Sequence, residues 1–498
     1  MRKRTIILFF CFLFSLASLT GRVGYLALGD AVKVSDSFHS YSVILDKKEP
    51  NIYTADGKLL TNNEKAYCVV LRANEKTFSE LSELFPQNEL MDIVRELEKG
   101  FPLVKTVEKS SYGTDYLKPI AVTRSDSTCS QLINRSSSGL LMYLPESVGT
   151  LKMNFSQDAL GRVLPGDDGR LIESDYHSHE GLKLTVDSRV QSILYDEMKA
   201  VKKGCAVIID VESGAVLACV TKPDDSYVNK VFSQFAVGSV FKTVVAACAI
   251  ENGIDPSFDC NGHIRVGDTI FSCYEDKAHG KQHLKEALGN SCNCYFVNLG
   301  LQLGADRLLS TAKRLGFDST TTLFDEWKVT NAVLPDESAL YSKGELSLLS
   351  FGQGKLTATP LQFCYLMTAI ANHGYAHPIR LIEAEVDSEG KASPVAESDG
   401  KQVITADTAD LLLSYLRYVV SDGNAGSADF HDNAAGKTAT AQTGQFQNGD
   451  ELLNCWFTGV YPYDDPQYAI VIMVEEGEGG AKECCPIFRT VVEKLEQL

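Results

Sequence analysis

The sequence predicts an α+β fold in which an antiparallel sheet is flanked by helices and accompanied by a helical subdomain. This domain is expected on an elongated mixed α/β N-terminal pedestal behind one N-terminal transmembrane helix. Three observations lead to the prediction. Segments with strand character lie at both ends of residues 181–498, with helical patterns between them. Residues 29–180 mix the two patterns, and an uncharged apolar segment follows a basic N-terminus.

The N-terminal segment is predicted to be a membrane anchor. Residues 1–4 are basic and residues 5–28 are mostly apolar, an order that favours an N-terminus in the cytoplasm. No charge occurs over 5–21, and Arg22 can extend its guanidinium to the membrane interface. A cleaved signal peptide is the alternative, because Ser15-Leu16-Ala17 resembles a cleavage site. With either an anchor or a signal peptide, most of the chain is expected to be exported.

Residues 29–180 are predicted to form the extracytoplasmic pedestal, which resembles a dimerisation domain. Strand patterns occur at 41–45 and 66–71, and helical periodicity occurs over 80–97. Asp56-Gly57 is a turn signal. No combination of catalytic side chains is found in this region, so we expect it to hold the next domain away from the membrane and to offer a protein-binding surface.

Residues 181–498 are predicted to form the larger of the two exported domains. An amphipathic helix is expected first, followed by two strands, and two more strands and a closing helix are expected near the C-terminus. The predicted elements are the helix 190–201, the strands 204–210, 215–220, 455–461 and 468–475, and the helix 488–498. Strands at both ends with helices between them indicate one antiparallel sheet that is flanked by helices.

Composition narrows the possible partners. The formal net charge of -18 argues against nucleic acid, which binds basic surfaces. A length of 498 residues suggests two or three domains. We therefore expect an acidic, exported protein of several domains.

Fourteen cysteines are present, and most are predicted to be small buried apolar residues, as in the apolar segments around Cys219, Cys248 and Cys364. A domain of this size has enough core to fold without disulfides. Cys260 and Cys273 flank a predicted hairpin and are the best candidates for a bridge. No cysteine or histidine spacing indicates a metal site, and no cofactor is expected.

A serine and a lysine begin the most informative segment. Ser239 and Lys242 stand at the start of a long apolar segment, three positions apart, which places both on one face of a predicted helix. Lysine can activate a serine nucleophile if burial or a nearby cation disfavours its ammonium form. Lys437 is a candidate for that cation. The backbone N–H of Ser239 at the helix start can donate to a developing oxyanion.

Two further clusters follow in the order expected of one site. Ser291 and Asn293 lie two positions apart before an apolar helix, and Lys437 and Thr438 lie on a predicted strand with Ala439 and Thr440. Each cluster alone has a simpler interpretation, since serine and asparagine often cap helices and Ser-x-x-Lys often occurs on a solvated helix face. Together their order and spacing make chance unlikely.

The three clusters resemble the Ser-x-x-Lys, Ser-x-Asn and Lys-Thr-Gly motifs of penicillin-binding proteins and related β-lactamases. The chain resembles a class B penicillin-binding protein, a peptidoglycan D,D-transpeptidase, over about residues 181–498. Flanking segments also match the family: Leu184-Thr185-Val186-Asp187, His279-Gly280, Gly352-Gln353-Gly354 and Trp456-Phe457-Thr458-Gly459. The chain departs from the family motif at Ala439, where glycine is usual. The methyl group could narrow the cleft, although we expect activity to survive.

The resemblance implies a role for each site residue. Ser239 is the acylated nucleophile and Lys242 its base, Ser291 relays a proton, and Asn293 holds the substrate carbonyl and the lysine. Lys437 and Thr438 bind the substrate carboxylate, Ala439 is a substrate-binding position on the same strand, and the backbone N–H of Thr440 completes the oxyanion hole with that of Ser239.

The resemblance also implies substrates, partners and location. The substrates are peptidoglycan stem peptides, with β-lactam antibiotics as covalent inhibitors. We expect a single-pass protein of the cell membrane with an extracytoplasmic catalytic domain. Its partner would be a polytopic glycan polymerase of the elongation, division or sporulation machinery.

Three alternatives stay open. One is a D,D-carboxypeptidase or β-lactamase that uses the same serine with water as acceptor. The second is a β-lactam sensor, which needs several membrane spans. The third is a catalytically impaired scaffold of the cell-wall machinery, which Ala439 suggests.

Overall fold

The structure, a computed structural model, describes residues 2–28, 40–107, 117–125, 127–158, 160–164 and 166–498. The chain divides into two compact units. Unit 1 comprises Met1–Lys48, Lys65–Thr123 and Gly149–Tyr176, and unit 2 comprises Glu49–Glu64, Arg124–Val148 and His177–Leu498. The units therefore alternate along the chain, which differs from the single boundary at residue 181 that the sequence predicts.

The elements before residue 180 are α1 Arg2–Leu28, β1 Ser40–Lys48, β2 Asn51–Tyr53, β3 Glu64–Leu71, α2 Glu75–Leu84, α3 Gln87–Leu97, β4 Leu103–Val107, β5 Ile120–Arg124, α4 Ser130–Ile133, β6 Gly149–Ser156 and β7 Arg170–Ser174. Those of residues 181–333 are β8 Gly181–Leu184, α5 Ser188–Glu197, β9 Gly204–Asp210, β10 Val216–Lys222, β11 Phe235–Ala236, α6 Lys242–Glu251, β12 Phe258–Cys260, β13 His263–Val266, β14 Thr269–Ser272, β15 Gly280–Gln282, α7 Leu284–Gly289, α8 Asn293–Leu303, α9 Ala305–Arg314, β16 Thr320–Phe324, β17 Trp327–Thr330 and β18 Ala332–Val333. The remainder are α10 Lys343–Ser350, β19 Thr357–Ala358, α11 Pro360–Ala371, β20 Tyr375–Ala376, β21 Ile382–Val386, β22 Ala392–Pro394, β23 Lys401–Gln402, α12 Ala406–Ser421, β24 Ala435–Gln447, β25 Asp450–Tyr461, β26 Tyr468–Glu475 and α13 Gly480–Leu495.

Unit 1 contains two three-stranded sheets, in the orders β1-β6-β7 and β4-β3-β5. The strands predicted at 41–45 and 66–71 are confirmed as parts of β1 and β3. The helical segment predicted over 80–97 forms two helices, because Pro86 lacks a backbone N–H and stands between α2 and α3. The apolar faces of these helices pack in one cluster with Val69 and Leu71 of β3.

Unit 2 is built on a five-stranded antiparallel sheet in the order β10-β9-β26-β25-β24. Six successive residues in β9 and six in β26 are buried, so both faces of the sheet are covered. Helices α11 and α13 both pack against β26, and α5 packs against β10. The predicted antiparallel sheet flanked by helices is confirmed, with strands from both ends of the domain meeting at its centre.

The segment 49–64 belongs to unit 2 because of strand pairing. Its strand β2 pairs in parallel with β8, which begins the predicted catalytic domain. Ile52 is fully buried in the main apolar core of unit 2, and the Asn51 side chain donates to the Ser178 carbonyl. The predicted turn at Asp56-Gly57 is confirmed: Gly57 has a φ of 84°, a conformation that favours glycine.

Within the part of the chain that the structure describes, no helix is both long enough and apolar enough to cross a membrane. The anchor predicted over 5–28 is not confirmed by this finding.

Candidate active site

Ser239 lies on a tight turn that leads directly into a buried helix. Residues Gly238–Phe241 form one turn of 3-10 helix, and α6 begins at Lys242. The serine is half-buried, whereas Val240 and Phe241 beside it are fully buried. Burial of the neighbours fixes the turn, so that the hydroxyl group of Ser239 is held at the start of α6. The predicted position of Ser239 in the first helical turn is confirmed, with a 3-10 rather than an α-helical turn.

Two glycines let other segments approach this turn. Gly238 has a φ of 58°, and a Cβ there would lie 3.0 Å from the Cβ of Ala441 in β24. The Gly238 N–H donates to the Gly352 carbonyl at 3.0 Å. A Cβ on Gly352 would lie 1.9 Å from the Gly238 carbonyl oxygen. The glycine-rich segment around Gly352 therefore packs closely against the turn that carries Ser239, and only glycine permits so short a distance.

Lys242 is fully buried and its amine is surrounded by oxygen acceptors. Its Nζ lies 2.7 Å from the Ser291 carbonyl oxygen, 2.7 Å from Asn293 Oδ1 and 3.3 Å from Ser291 Oγ. Removal from water disfavours the ammonium form and lowers the pKa of Lys242 to about 8. A neutral amine has two N–H donors, which suit the two short contacts, and its lone pair can then accept a proton.

Lys437 is the second buried lysine of the site. Its Nζ donates to the Thr438 carbonyl at 3.0 Å and lies 3.1 Å from Ser291 Oγ. Burial lowers the pKa of Lys437 well below its ordinary value, and repulsion from Lys242 lowers this pKa further. The sequence suggested that the Lys437 cation disfavours the charge on Lys242. The pKa of Lys242 is instead lowered mainly by its own burial, and the repulsion between the two lysines lowers the pKa of Lys437.

Ser291 and Asn293 lie in the tight connection between α7 and α8. Ser291 has a φ of 52°, which is uncommon for a residue with a side chain, and Asn293 is the first residue of α8. The Ser291 hydroxyl is within hydrogen-bonding distance of the amines of both lysines. The structure thus brings Lys242, Ser291, Asn293 and Lys437 together, and places the Ser291 hydroxyl where a proton can pass between two amines.

Strand β24 carries the third cluster along one edge of the site. The Thr438 hydroxyl donates to Asn424 Oδ1 at 3.1 Å, and the Thr440 hydroxyl accepts the Gly480 N–H at 3.3 Å. Ala439 is 4% exposed and belongs to the main apolar core. The methyl group that departs from the family motif is therefore packed rather than open to solvent.

Replacement of Ala439 by glycine is expected to destabilise unit 2 by about 1–2 kcal/mol, since a buried methyl contributes about 0.8 kcal/mol and glycine in a strand costs about 0.5–1 kcal/mol. The midpoint of urea unfolding measures the change. Ala392→Gly, at an exposed position of strand β22, is the matched control. An unchanged midpoint for Ala439→Gly would show that the methyl group is not tightly packed.

Sequence reasoning missed two features of this region. One is Asn424, in the segment after α12, whose side-chain oxygen accepts a hydrogen bond from the Thr438 hydroxyl. No motif in the sequence reveals this residue. The other is a group made of Cys260, Cys273, His279 and Cys292, whose ligand atoms lie within 4.8 Å of one another. Spacing along the chain does not reveal this group, because its members come from four separate segments.

Cys260 and Cys273, the best candidates for a bridge, do not form one in the structure. The hairpin between them is confirmed as β13 and β14, and the two sulfur atoms lie 3.7 Å apart, yet both thiols are free. A disulfide requires about 2.05 Å between its sulfur atoms. The sequence identified this pair only as the best candidate for a bridge, and the structure brings the two sulfur atoms close together without a bond between them.

The arrangement has the parts needed for acyl transfer. It offers a half-buried hydroxyl on a rigid turn, a buried amine whose pKa of about 8 leaves a fraction of it neutral near physiological pH, and a second hydroxyl that can relay a proton. A second buried amine lies on an adjacent strand. Such a set can form an ester with a carbonyl substrate and later release it to another nucleophile.

Comparison with known proteins identifies the domain. Residues 204–493 match the family model described as penicillin binding protein transpeptidase domain. Stage V sporulation protein D of Bacillus subtilis is 29% identical over 70% of this chain and 57% of its own length. Peptidoglycan D,D-transpeptidase MrdA of Haemophilus influenzae is 25% identical over 63% of this chain and 56% of its own length. The chain thus spans between half and two thirds of these relatives.

Solved structures show the same fold. Penicillin-binding protein 3 of Mycobacterium tuberculosis, complexed with ampicillin, aligns with a TM-score of 0.65 at 20% identity over 91% of this chain and 96% of that protein. The D,D-transpeptidase domain of a peptidoglycan glycosyltransferase from Eggerthella lenta aligns with a TM-score of 0.62 at 21% identity over 91% of this chain and 98% of that protein. Motifs, fold and family model agree, and the chain belongs to the penicillin-binding protein transpeptidase family.

Proposed function

We propose that this protein is a serine D,D-transpeptidase that cross-links peptidoglycan stem peptides through an acyl-enzyme at Ser239 and is inhibited covalently by β-lactams. The observation that carries the proposal is the Lys242 amine, buried and bonded to Ser291 and Asn293, one helical turn from Ser239. Named relatives add support, since one is called a peptidoglycan D,D-transpeptidase.

In the proposed first step, Ser239 Oγ bonds to the carbonyl carbon of the penultimate D-alanine. The serine proton passes to Lys242, whose two N–H groups are already engaged by acceptors. The peptide C–N bond then breaks, and the leaving amine takes a proton from the Lys242 and Ser291 pair as D-alanine departs. The backbone N–H groups of Ser239 and Thr440 are proposed to stabilise the oxyanion.

In the second step, an amine of a neighbouring stem peptide attacks the ester carbonyl. The C–O bond to Ser239 breaks, the amine proton returns to the serine through Lys242, and a new peptide bond forms. Lys437 and Thr438 are proposed to hold the terminal carboxylate of the donor, because a carboxylate beside the buried Lys437 amine favours its ammonium form and the adjacent hydroxyl can donate to the same group.

The test follows both products of a synthetic stem peptide that ends in D-Ala-D-Ala. We expect release of D-alanine, transfer of the acyl group to an added amine acceptor, and loss of both after preincubation with a penicillin. Release of D-alanine with water as the sole acceptor would instead support a carboxypeptidase. A penicilloyl adduct that forms and decays within seconds would support a β-lactamase, and the absence of any adduct would support a scaffold.

The pH dependence of acylation provides a further prediction. Lys242 is the base only in its neutral form, and its pKa of about 8 lies below the ordinary lysine value. The acylation rate is therefore expected to rise about tenfold per pH unit below pH 8 and to level off above it. The second-order rate of labelling by a fluorescent penicillin measures this profile. A rate independent of pH between about 6 and 9 would contradict a lysine base.

We also propose that residues 5–28 attach the protein to the cell membrane, with the catalytic domain outside. Support comes from the basic residues 1–4 and from the absence of charge over 5–21. Recovery of the full chain in the membrane fraction after a carbonate wash, and its protease sensitivity in spheroplasts, test the two parts of this proposal. A freely released protein would contradict the anchor. A glycan polymerase as partner stays a prediction.

A further inference from the structure

A group of three thiols and one imidazole lies against the second motif of the site. It consists of Cys260, Cys273, His279 and Cys292, three of which are buried and one half-buried. Sγ of Cys273 lies 3.7 Å from that of Cys260 and 3.6 Å from that of Cys292. Nδ1 of His279 lies 3.5 Å from Sγ of Cys260.

These separations match the edges of a tetrahedral metal site. Two sulfur ligands about 2.3 Å from a zinc ion at the tetrahedral angle are about 3.8 Å apart, and a sulfur and a nitrogen ligand are about 3.6 Å apart. Thiolate and imidazole donors select zinc over magnesium or calcium, which prefer oxygen. A close-packed apolar core offers no reason for four such donor atoms to point at one another.

Rigid local structure holds each donor. The Cys273 N–H donates to the Gly262 carbonyl at 2.8 Å, and the His279 N–H donates to the Cys260 carbonyl at 3.0 Å. Gly262 has a φ of 99°, so the chain can turn sharply after Cys260. Cys292 caps α8, where its sulfur accepts the Tyr295 N–H. The donors are thus positioned by backbone hydrogen bonds at the ends of the hairpins β12–β15 and β13–β14 and at the start of α8.

The cysteines elsewhere in the domain differ from this group. Cys248 is buried in α6, where its sulfur and carbonyl oxygen contact the Asn252 side chain, and Cys364 is buried in α11, where its thiol donates to the Ala469 carbonyl. Each fits the interpretation of a small buried apolar residue. Cys294 has its sulfur 3.5 Å from that of Cys273 but lies outside the group of four. Burial alone therefore does not account for the convergence at residues 260–292.

We propose that Cys260, Cys273, His279 and Cys292 bind one zinc ion as a Cys3His structural site. Binding replaces the three thiol protons, which pass to solvent, and the imidazole donates through Nδ1. Cys292 stands between Ser291 and Asn293, the two residues that contact the Lys242 amine. The ion therefore acts as a tether for this connection, whose Ser291 has an uncommon positive φ.

The first test measures metal in the full chain. After expression with added zinc and removal of loose metal by gel filtration, elemental analysis is expected to give about one zinc per chain. Cys260→Ser and His279→Ala are expected to lower that content at least severalfold, whereas Cys248→Ala, the matched buried control, keeps it. Zinc absent from the wild type, or content unchanged in both ligand variants, would overturn the proposal.

The second test needs no variant, so it remains decisive if a ligand variant fails to fold. Wild-type protein freed of zinc is titrated with cobalt(II), and we expect the absorption bands of a tetrahedral cobalt site with thiolate ligands, saturating at one equivalent. An octahedral spectrum, or a Cys260–Cys273 disulfide found by mass spectrometry in freshly purified protein, would overturn the site. Neither readout depends on penicillin labelling, so failure of this proposal is distinct from failure of the proposed function.

Discussion

Ser239→Ala is expected to abolish covalent labelling by a fluorescent penicillin and the release of D-alanine from a stem peptide. In the proposed mechanism the hydroxyl oxygen of Ser239 forms the ester, and alanine has no atom that can replace it. Ser239 is half-buried on the turn Gly238–Phe241, so loss of one oxygen atom should leave the fold unchanged. Mass spectrometry of the protein after incubation with penicillin measures the adduct directly, and urea unfolding verifies the fold.

Ser233→Ala is the matched control for this experiment. Ser233 is also half-buried and precedes the same helix, and its hydroxyl donates to the Asn229 carbonyl rather than to the site. We expect this variant to be labelled like the wild type. An adduct that persists in Ser239→Ala would place the nucleophile elsewhere and would remove Ser239 from the proposed mechanism.

The sequence was sufficient to predict those parts of the fold that depend on local patterns. Strands β9 and β26 are apolar over most of their length, and helix α6 follows Ser239 as an apolar segment of helix length. The motifs alone predict that Lys242, Ser291 and Lys437 lie in one site, because their order fits a known family. The hydrogen-bond partners of the Lys242 and Lys437 amines are known only from the folded structure.

Features that depend on distant contacts could not be predicted. Segment 49–64 belongs to unit 2 because β2 pairs with β8, and no pattern in either strand specifies the other as partner. The group of Cys260, Cys273, His279 and Cys292 forms only when two hairpin ends meet the start of α8. The spacing of these residues along the chain matches no compact zinc motif. The sequence therefore indicated only that Cys260 and Cys273 were candidates for a disulfide. Burial likewise decides the pKa of Lys242, and burial is a property of the folded domain.

Lys242→Ala is expected to slow acylation of Ser239 by about 10²–10⁴-fold, the usual contribution of a positioned general base. The variant removes the proposed base, the amine that contacts Ser291 and Asn293 and lies one helical turn from Ser239. Two partly buried acceptors lose their donor, and a loss of about 1–3 kcal/mol in unfolding free energy is expected as well. Stopped-flow or quenched labelling measures the rate, and urea unfolding measures the stability.

A variant of a second buried lysine separates the loss of a catalytic base from the loss of stability. Lys222 is 4% exposed and binds Asp224 in the same domain, so Lys222→Ala tests what the loss of any buried lysine does to the rate. If Lys242 is the base, its variant loses rate far beyond what Lys222→Ala loses, and the remaining rate no longer rises with pH toward a plateau near 8. Near-normal acylation by folded Lys242→Ala would instead assign the base role to Lys437. Its amine is also buried and contacts the same Ser291 hydroxyl, so that result would identify Ser291 as the common proton relay of the site.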